Sequence, residues 1–224
     1  MRADPLEAVK RAKRVEQAQE QMLAGHLDEA RDLFESLLAE AADFPQALHG
    51  LGLCLVQQGR HEEGERHLRA ALVHAPDDPH YWNDLGETLR QMGRHDEAIE
   101  AYRRALEIAP QFVPAANNLG VALLQQGDID AAEAAFLRAL ACAEDDPYTQ
   151  NNLGVLRQHQ GRLEEALAAY ETAVLLKPDF ADALANYTDL LQHHPELIAA
   201  SVRRLGETFD TLREAEDRSG GKTR

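Results

Sequence analysis

The sequence predicts an all-α fold, a solenoid of stacked antiparallel helix pairs, and three observations carry that expectation. The composition favours helices: Ala, Leu, Glu, Arg and Gln dominate, while aromatic residues make up only 5%, which argues against a strand-rich fold. The chain also repeats itself every 34 residues without insertion, most literally where Asn-Asn-Leu-Gly-Val at 117–121 returns at 151–155. Finally, two glycine columns punctuate the period, one at Gly52, Gly86, Gly120 and Gly154 and one at Gly25, Gly59, Gly93, Gly127 and Gly161.

Each period reads as two short helices. Segments such as 85–93 and 94–110 place apolar residues at i, i+3, i+4 and i+7, the spacing of one buried helical face. The second glycine column ends the first helix, because the residue just past a helix often takes the left-handed conformation that glycine adopts without steric cost. Pro76, Pro110 and Pro178 stop the second helix, with Glu144 interrupting that column. Small residues at Gly86, Ala98 and Ala105, and again at Gly120, Ala132 and Ala139, are expected to let the paired axes approach, while Leu85, Leu89, Tyr102 and Leu106 fill the space around them.

Trp82, Leu85, Gly86, Leu89, Ala98, Tyr102, Ala105 and Pro110 together resemble the signature of the tetratricopeptide repeat family. The resemblance implies a right-handed superhelix of five repeats at 11–44, 45–78, 79–112, 113–146 and 147–180. Residues 1–10 extend the first helix. Residues 181–216 read as a degenerate sixth repeat with a capping helix, whose apolar stripe is Leu197, Ile198, Val202, Leu205, Phe209 and Leu212. The tail 217–224 is expected to be disordered. Arg14 and Gln17 replace the Trp and Leu of the signature in the first repeat, and Gly64 replaces the small Ala of the second.

A formal charge of -16 repels phosphate backbones and anionic headgroups, which argues against nucleic acid and membrane surfaces as general partners. No apolar run is long enough for a secretion signal or a membrane span, and the expected location is the cytoplasm. Cys54 and Cys142 have no paired-ligand spacing and are expected to be reduced, buried thiols. No phosphate loop, nucleophile elbow or paired-histidine zinc motif occurs, so no catalytic residue, cofactor or metal site is assigned. His61, Glu65 and His67 come nearest to a ligand set, but His67 lies on a different helical arc from the other two. His193 and His194 precede Pro195 and read as a helix end.

Within each first helix, the arc that faces the partner helix leaves other positions to line a wall, which in the family is the concave side of the superhelix. The candidates there are His49, Leu53 and Gln57; His80, Asn83, Asp84, Glu87, Arg90 and Gln91; Asn117, Asn118, Val121, Leu124 and Gln125. They continue as Tyr148, Asn151, Asn152, Val155 and His159, then Asp182, Asn186 and Asp189. An Asn side chain both donates and accepts, so such residues suit the backbone of a bound peptide whatever its sequence. The column Asp84, Asn118, Asn152 and Asn186 is similar to the asparagine ladder of O-linked N-acetylglucosamine transferases. Arg90 is the one clear cation on this wall, so the acidic tails held by carboxylate-clamp repeats are poor ligands and neutral or basic segments are favoured.

These features point to a non-enzymatic scaffold that binds an extended or helical segment of another protein in its groove. Two alternatives stand beside it: a substrate-recognition adaptor for a protein-modifying enzyme such as a glycosyltransferase, and a structural protein that self-associates through its C-terminal helix.

Overall fold

The computed structural model describes residues 5–206. Those residues contain helices and no strand. In chain order they are α1 (Pro5–Leu23), α2 (Leu27–Glu40), α3 (Pro45–Gln57), α4 (His61–His74), α5 (Pro79–Gln91) and α6 (His95–Ile108). Then come α7 (Val113–Gln126), α8 (Ile129–Cys142), α9 (Pro147–His159), α10 (Leu163–Leu176) and α11 (Ala181–His193). A 3-10 turn at Pro195–Leu197 leads into α12, helical over 198–206. The expectations for Phe209, Leu212 and the tail 217–224 fall outside the described residues.

The helix ends form where the punctuation residues require them. Gly25, Gly59, Gly93, Gly127 and Gly161 all have φ between 72° and 83°, the left-handed region in which a Cβ would be strained. At Gly59 the chain reverses with Gly59 N–H bonded to the Val56 carbonyl at 2.9 Å and Arg60 N–H to the Leu55 carbonyl at 2.8 Å, which satisfies carbonyls that the helix end leaves open. Proline has a second role that the 34-residue columns conceal. Pro45, Pro79 and Pro147 open α3, α5 and α9, where the missing N–H would have found no partner in the helix. Asp78 and Asp146 cap two of these starts, accepting from His80 N–H at 2.9 Å and Thr149 N–H at 2.7 Å.

The chain forms two compact units that divide after Asp128, inside the fourth period. In the first, α1, α3 and α5 pack on α2, α4 and α6 respectively, and each pair packs on the helix that follows it, through to α7. Val15, Ala18, Phe34, Leu37, Ala47, Leu51 and Cys54 form a core cluster shared by α1, α2 and α3. In the second unit α9 packs on α8, α10 and α11, and Leu197 joins Ala166, Leu167, Tyr170 and Leu190 in the core.

Glycine sets the approach within a pair. A Cβ built on Gly86 would stand 2.7 Å from the Tyr102 ring, and one on Gly154 would stand 2.6 Å from the Tyr170 ring. Tyr102, Tyr170, Ala98 and Ala105 are completely buried beside them. The departure at Gly64 has the same cause, since a Cβ there would lie 2.5 Å from Val56 Cγ2 and 2.7 Å from the Gly52 carbonyl oxygen. The departure at Arg14 is a polar substitute for an indole: its guanidinium bonds Glu40 and Ser36, each at 2.6 Å, and so joins α1 to α2.

Two expectations need correction. Cys54 is buried, and burial pushes its thiol up to about 11 against the opposing charge of Arg31. Cys142, by contrast, is exposed, because the last position of the second helix lies on the outer arc, as the exposed His74 and Leu176 do in the same column. The closing segment also buries only part of its apolar stripe. Ile198 and Val202 are 46% and 67% exposed, whereas Leu197 and Ser201 are buried. Tyr187 and Ser201 share a hydroxyl hydrogen bond of 2.7 Å, and Arg204 Nε donates to Glu171 at 2.7 Å. Arg204 stands 34 residues after buried Tyr170, so a charged pair replaces the aromatic knob of the preceding period.

Replacing Gly86 by Leu should overpack the contact with Tyr102 and destabilise the chain by about 1–3 kcal/mol. A thermal melt followed by circular dichroism should show the loss as a lowered Tm.

Candidate protein-interaction surface

The first helix of each pair carries the candidate residues, and neighbouring first helices within a unit are tied together by hydrogen bonds of a fixed offset. In the first unit His49 Nε2 meets Asp84 Oδ2 at 2.7 Å, and Asn118 Nδ2 donates to Asn83 Oδ1 at 3.0 Å. In the second unit Asn186 Nδ2 donates to Asn151 Oδ1 at 2.9 Å. All three pairs are 35 residues apart, which joins the fifth position of one period to the sixth of the next. Asn83 Nδ2 also donates to Asp84 Oδ1 at 3.2 Å, so His49, Asp84, Asn83 and Asn118 form one chain across α3, α5 and α7. His49 is further fixed by stacking on Tyr81, with ring centroids 4.2 Å apart.

This geometry divides the paired asparagines by role. Asn83 and Asn151 are buried and accept from the following helix, while Asn118 and Asn186 are half-buried and donate. Asn117, Asn152, Val121, Leu124, Val155 and Leu53 are half-buried. Gln57, His80, Gln91, Gln125, Tyr148, His159, Asp182 and Asp189 are exposed. His193 Nδ1 turns back to the Asp189 carbonyl at 2.9 Å, and His194 Nδ1 lies 3.1 Å from Glu196.

Arg90 is not an isolated cation. Its Nε and Nη2 form a fork on the Glu87 carboxylate at 2.9 and 2.7 Å. Glu87 also accepts from Gln91 at 3.0 Å and from the Tyr102 hydroxyl at 3.2 Å. Burial works to raise the Glu87 pKa, but the hydrogen bonds and charge of Arg90, with Gln91 and Tyr102, together hold it below the ordinary 4.5. Burial pushes Tyr81 up to about 12, with Asp78 adding to the shift.

Aromatic contacts at the entry to the first helices are not visible in the 34-residue columns. His80 meets Phe112 edge-on at 4.6 Å in the first unit. Tyr148 meets Phe180 at 4.9 Å in the second, and Lys177 donates to the Tyr148 hydroxyl at 2.6 Å while lying 4.8 Å from its ring centroid. The legible signal was a double period. The position before each first helix alternates as Phe44, Asp78, Phe112, Asp146 and Phe180, repeating every 68 residues rather than 34.

On the second helices, arginines bridge glutamates of adjacent pairs. Arg94 reaches Glu97 and Glu65, and Arg69 bonds Glu65 at 2.8 Å, so the carboxylate between His61 and His67 is held by guanidinium groups. Arg162 does the same with Glu133 and Glu165, each at 2.8 Å. Among the described residues no group of three His, Cys, Asp or Glu side chains is placed to hold a metal ion.

Models of the tetratricopeptide repeat match residues 43–111, 83–147 and 117–179, which together span more than half of the chain. The chain belongs to the tetratricopeptide repeat family. The family's repeats make protein–protein interaction scaffolds, and this chain is a scaffold of that kind.

Several solved structures share its fold. A thermophilic tetratricopeptide repeat protein from Thermus thermophilus is 25% identical with a TM-score of 0.69, over 81% of this chain and 99% of the other. PilF of Pseudomonas aeruginosa superposes with a TM-score of 0.75 at 17% identity, over 95% and 97% of the two chains. YrrB, described as having an unusual peptide-binding site, gives 0.60 at 20% identity, over 80% and 95%. No curated protein sequence matches the chain. No helix of the described residues is long and apolar enough to cross a membrane.

Two outcomes test the geometry of this tetratricopeptide array. Asn118→Ala strips buried Asn83 of a donor and should cost about 1–3 kcal/mol, whereas adding Asn83→Ala should cost less than the sum of the single changes in urea unfolding. The depressed Glu87 pKa stabilises the fold above its ordinary 4.5, and that contribution is lost as pH falls through the lower folded value. Melts of Glu87→Gln below pH 4.5 should therefore lose less stability than wild type with further acidification.

Proposed function

We propose that the array is a non-enzymatic scaffold that takes an extended or helical polypeptide segment against its first helices. The observation that carries this reading is the preorganisation of half-exposed polar groups. Asp84 is held by His49, Asn118 by Asn83 and Asn186 by Asn151. Solubility alone needs no such fixing, since a solvated face works as well with mobile side chains. A side chain already held by the neighbouring repeat loses less freedom when a ligand arrives, which lowers the entropic cost of binding.

The bridging bonds leave bonding capacity for a ligand. Asn118 and Asn186 each use one N–H in the bridge, and an Asn side chain offers a second N–H and a carbonyl oxygen. Val121 and Val155 follow Asn118 and Asn152 by three residues in α7 and α9, half-buried apolar positions that suit small hydrophobic side chains. Arg90 is neutralised by Glu87, while Asp84, Asp182 and Asp189 contribute negative charge, so a neutral or basic segment is favoured. YrrB, which shares the fold, is described as having a peptide-binding site, so the fold is compatible with a peptide ligand.

The test is crosslinked affinity capture with wild type, with Asn118→Ala/Asn152→Ala/Asn186→Ala, and with Arg103→Ala at an exposed position of the second helix α6. Partners should be lost with the triple variant and retained with Arg103→Ala, both variants having been checked for helicity. Equal recovery of the same partners by all three chains would overturn the reading.

A further inference from the structure

A second binding surface lies at the N-terminal end of the first unit, where α1 meets the start of α3. Ala8, Ala12 and Val15 of α1 stand opposite Phe44 across an open cleft of about 420 Å³. Arg11 and Glu16 also line it. The α1 residues recur at i, i+4 and i+7, so one helical arc supplies the apolar floor while Arg11 stands beside it. Arg11 Nε is buried and has no hydrogen-bond partner among the described residues, whereas the neighbouring Arg14 is engaged by Glu40 and Ser36.

The first turns of α1 carry an excess of cations, while the cleft itself is lined by one cation, Arg11, and one anion, Glu16. Within 5–14 the sequence holds Lys10, Arg11, Lys13 and Arg14 against the single acid Glu7, in a protein with a net charge of -16. A ligand for the cleft therefore needs a bulky apolar side chain for the floor and a carboxylate for Arg11. The chain's own sequence contains such a segment: 207–217 carries Phe209 and Leu212 among Glu207, Asp210, Glu214, Glu216 and Asp217, with Arg213 as its one cation. It follows directly on α12, which Glu171 and Tyr187 fasten within the second unit.

We propose that the α1–α3 cleft receives residues 207–217 of a second copy of this chain, with Phe209 or Leu212 on the apolar floor and an acidic neighbour on Arg11. The contact is heterologous, because one copy gives its C-terminal segment and the other its N-terminal cleft. It uses none of the groups assigned to peptide binding above, so it stands or falls independently of that reading. Glu16, which also lines the cleft, opposes an acidic ligand and tunes the contact rather than making it.

Sedimentation equilibrium of the full chain over a wide concentration range should give a weight-average mass that rises above the 24.9 kDa of one copy. Arg11→Glu, and separately Phe209→Asp/Leu212→Asp, should return it to one copy, and Glu16→Gln should strengthen association. A labelled peptide of residues 205–218 should bind the full chain, and Arg11→Glu should weaken that binding by roughly tenfold or more. Arg103→Ala should leave the mass unchanged, and partner capture by Arg11→Glu should equal that of wild type, which separates failure here from failure of the peptide-groove reading. Circular dichroism checks each variant's fold, and Arg11→Gln in place of Arg11→Glu serves if the reversal of charge unfolds the chain. A chain that keeps the mass of one copy at every concentration overturns the proposal, whether the segment docks on its own cleft or on none. A rise in mass that neither variant reduces overturns it as well, as does peptide affinity indifferent to Arg11.

Discussion

The distance at which a glycine lets two helices approach governs the rest of this structure. At Gly86 and Gly154 there is no room for even a methyl group before the Tyr102 or Tyr170 ring is reached. That contact fixes the angle and depth of each pair, and the pair in turn fixes which arc of its first helix remains outside the core. The polar bridges depend on this precision, since a hydrogen bond between neighbouring pairs tolerates only a few tenths of an ångström of error. Gly64 shows the same constraint met from the second helix, where the Gly52 carbonyl oxygen comes so close that even the methyl group of Ala would collide with it.

The bridges join the architecture to the functional surface. A repeat protein is stabilised by nearest-neighbour interfaces, so a group that links one pair to the next contributes cooperativity as well as local order. His49 with Asp84, Asn83 with Asn118 and Asn151 with Asn186 occupy the same geometric slot with different chemistry. The slot demands a donor facing an acceptor, and imidazole with carboxylate meets that demand as well as amide with amide. The same residues consequently serve packing with one atom and present another to the surface.

At the C-terminal end of the second unit the repeating logic gives way to polar closure. Where a sixth period would place an aromatic knob, Arg204 pairs with buried Glu171, and Ser201 replaces an apolar contact by bonding Tyr187. Buried ion pairs contribute little net stability against a hydrophobic equivalent, because desolvation offsets most of the attraction. Their effect here is to hold α12 against α10 and α11.

The 34-residue period, the left-handed glycine turns and the buried faces of the helices were determined by sequence alone, because each rests on a local property: backbone freedom at Gly59, ring geometry at Pro110, and apolar spacing around Leu85 and Tyr102. Sequence could also place Asn118 and Asn186 on an arc away from the partner helix. Only the tertiary structure decided that they donate to Asn83 and Asn151, since the 35-residue offset appears once two periods are stacked. The pairing of Arg90 with Glu87, the exposure of Cys142 and the inward turn of Ser201 belong to the same class. Periodicity assigns a residue to an arc, but the neighbour across the gap determines whether that arc is occupied, neutralised or left open.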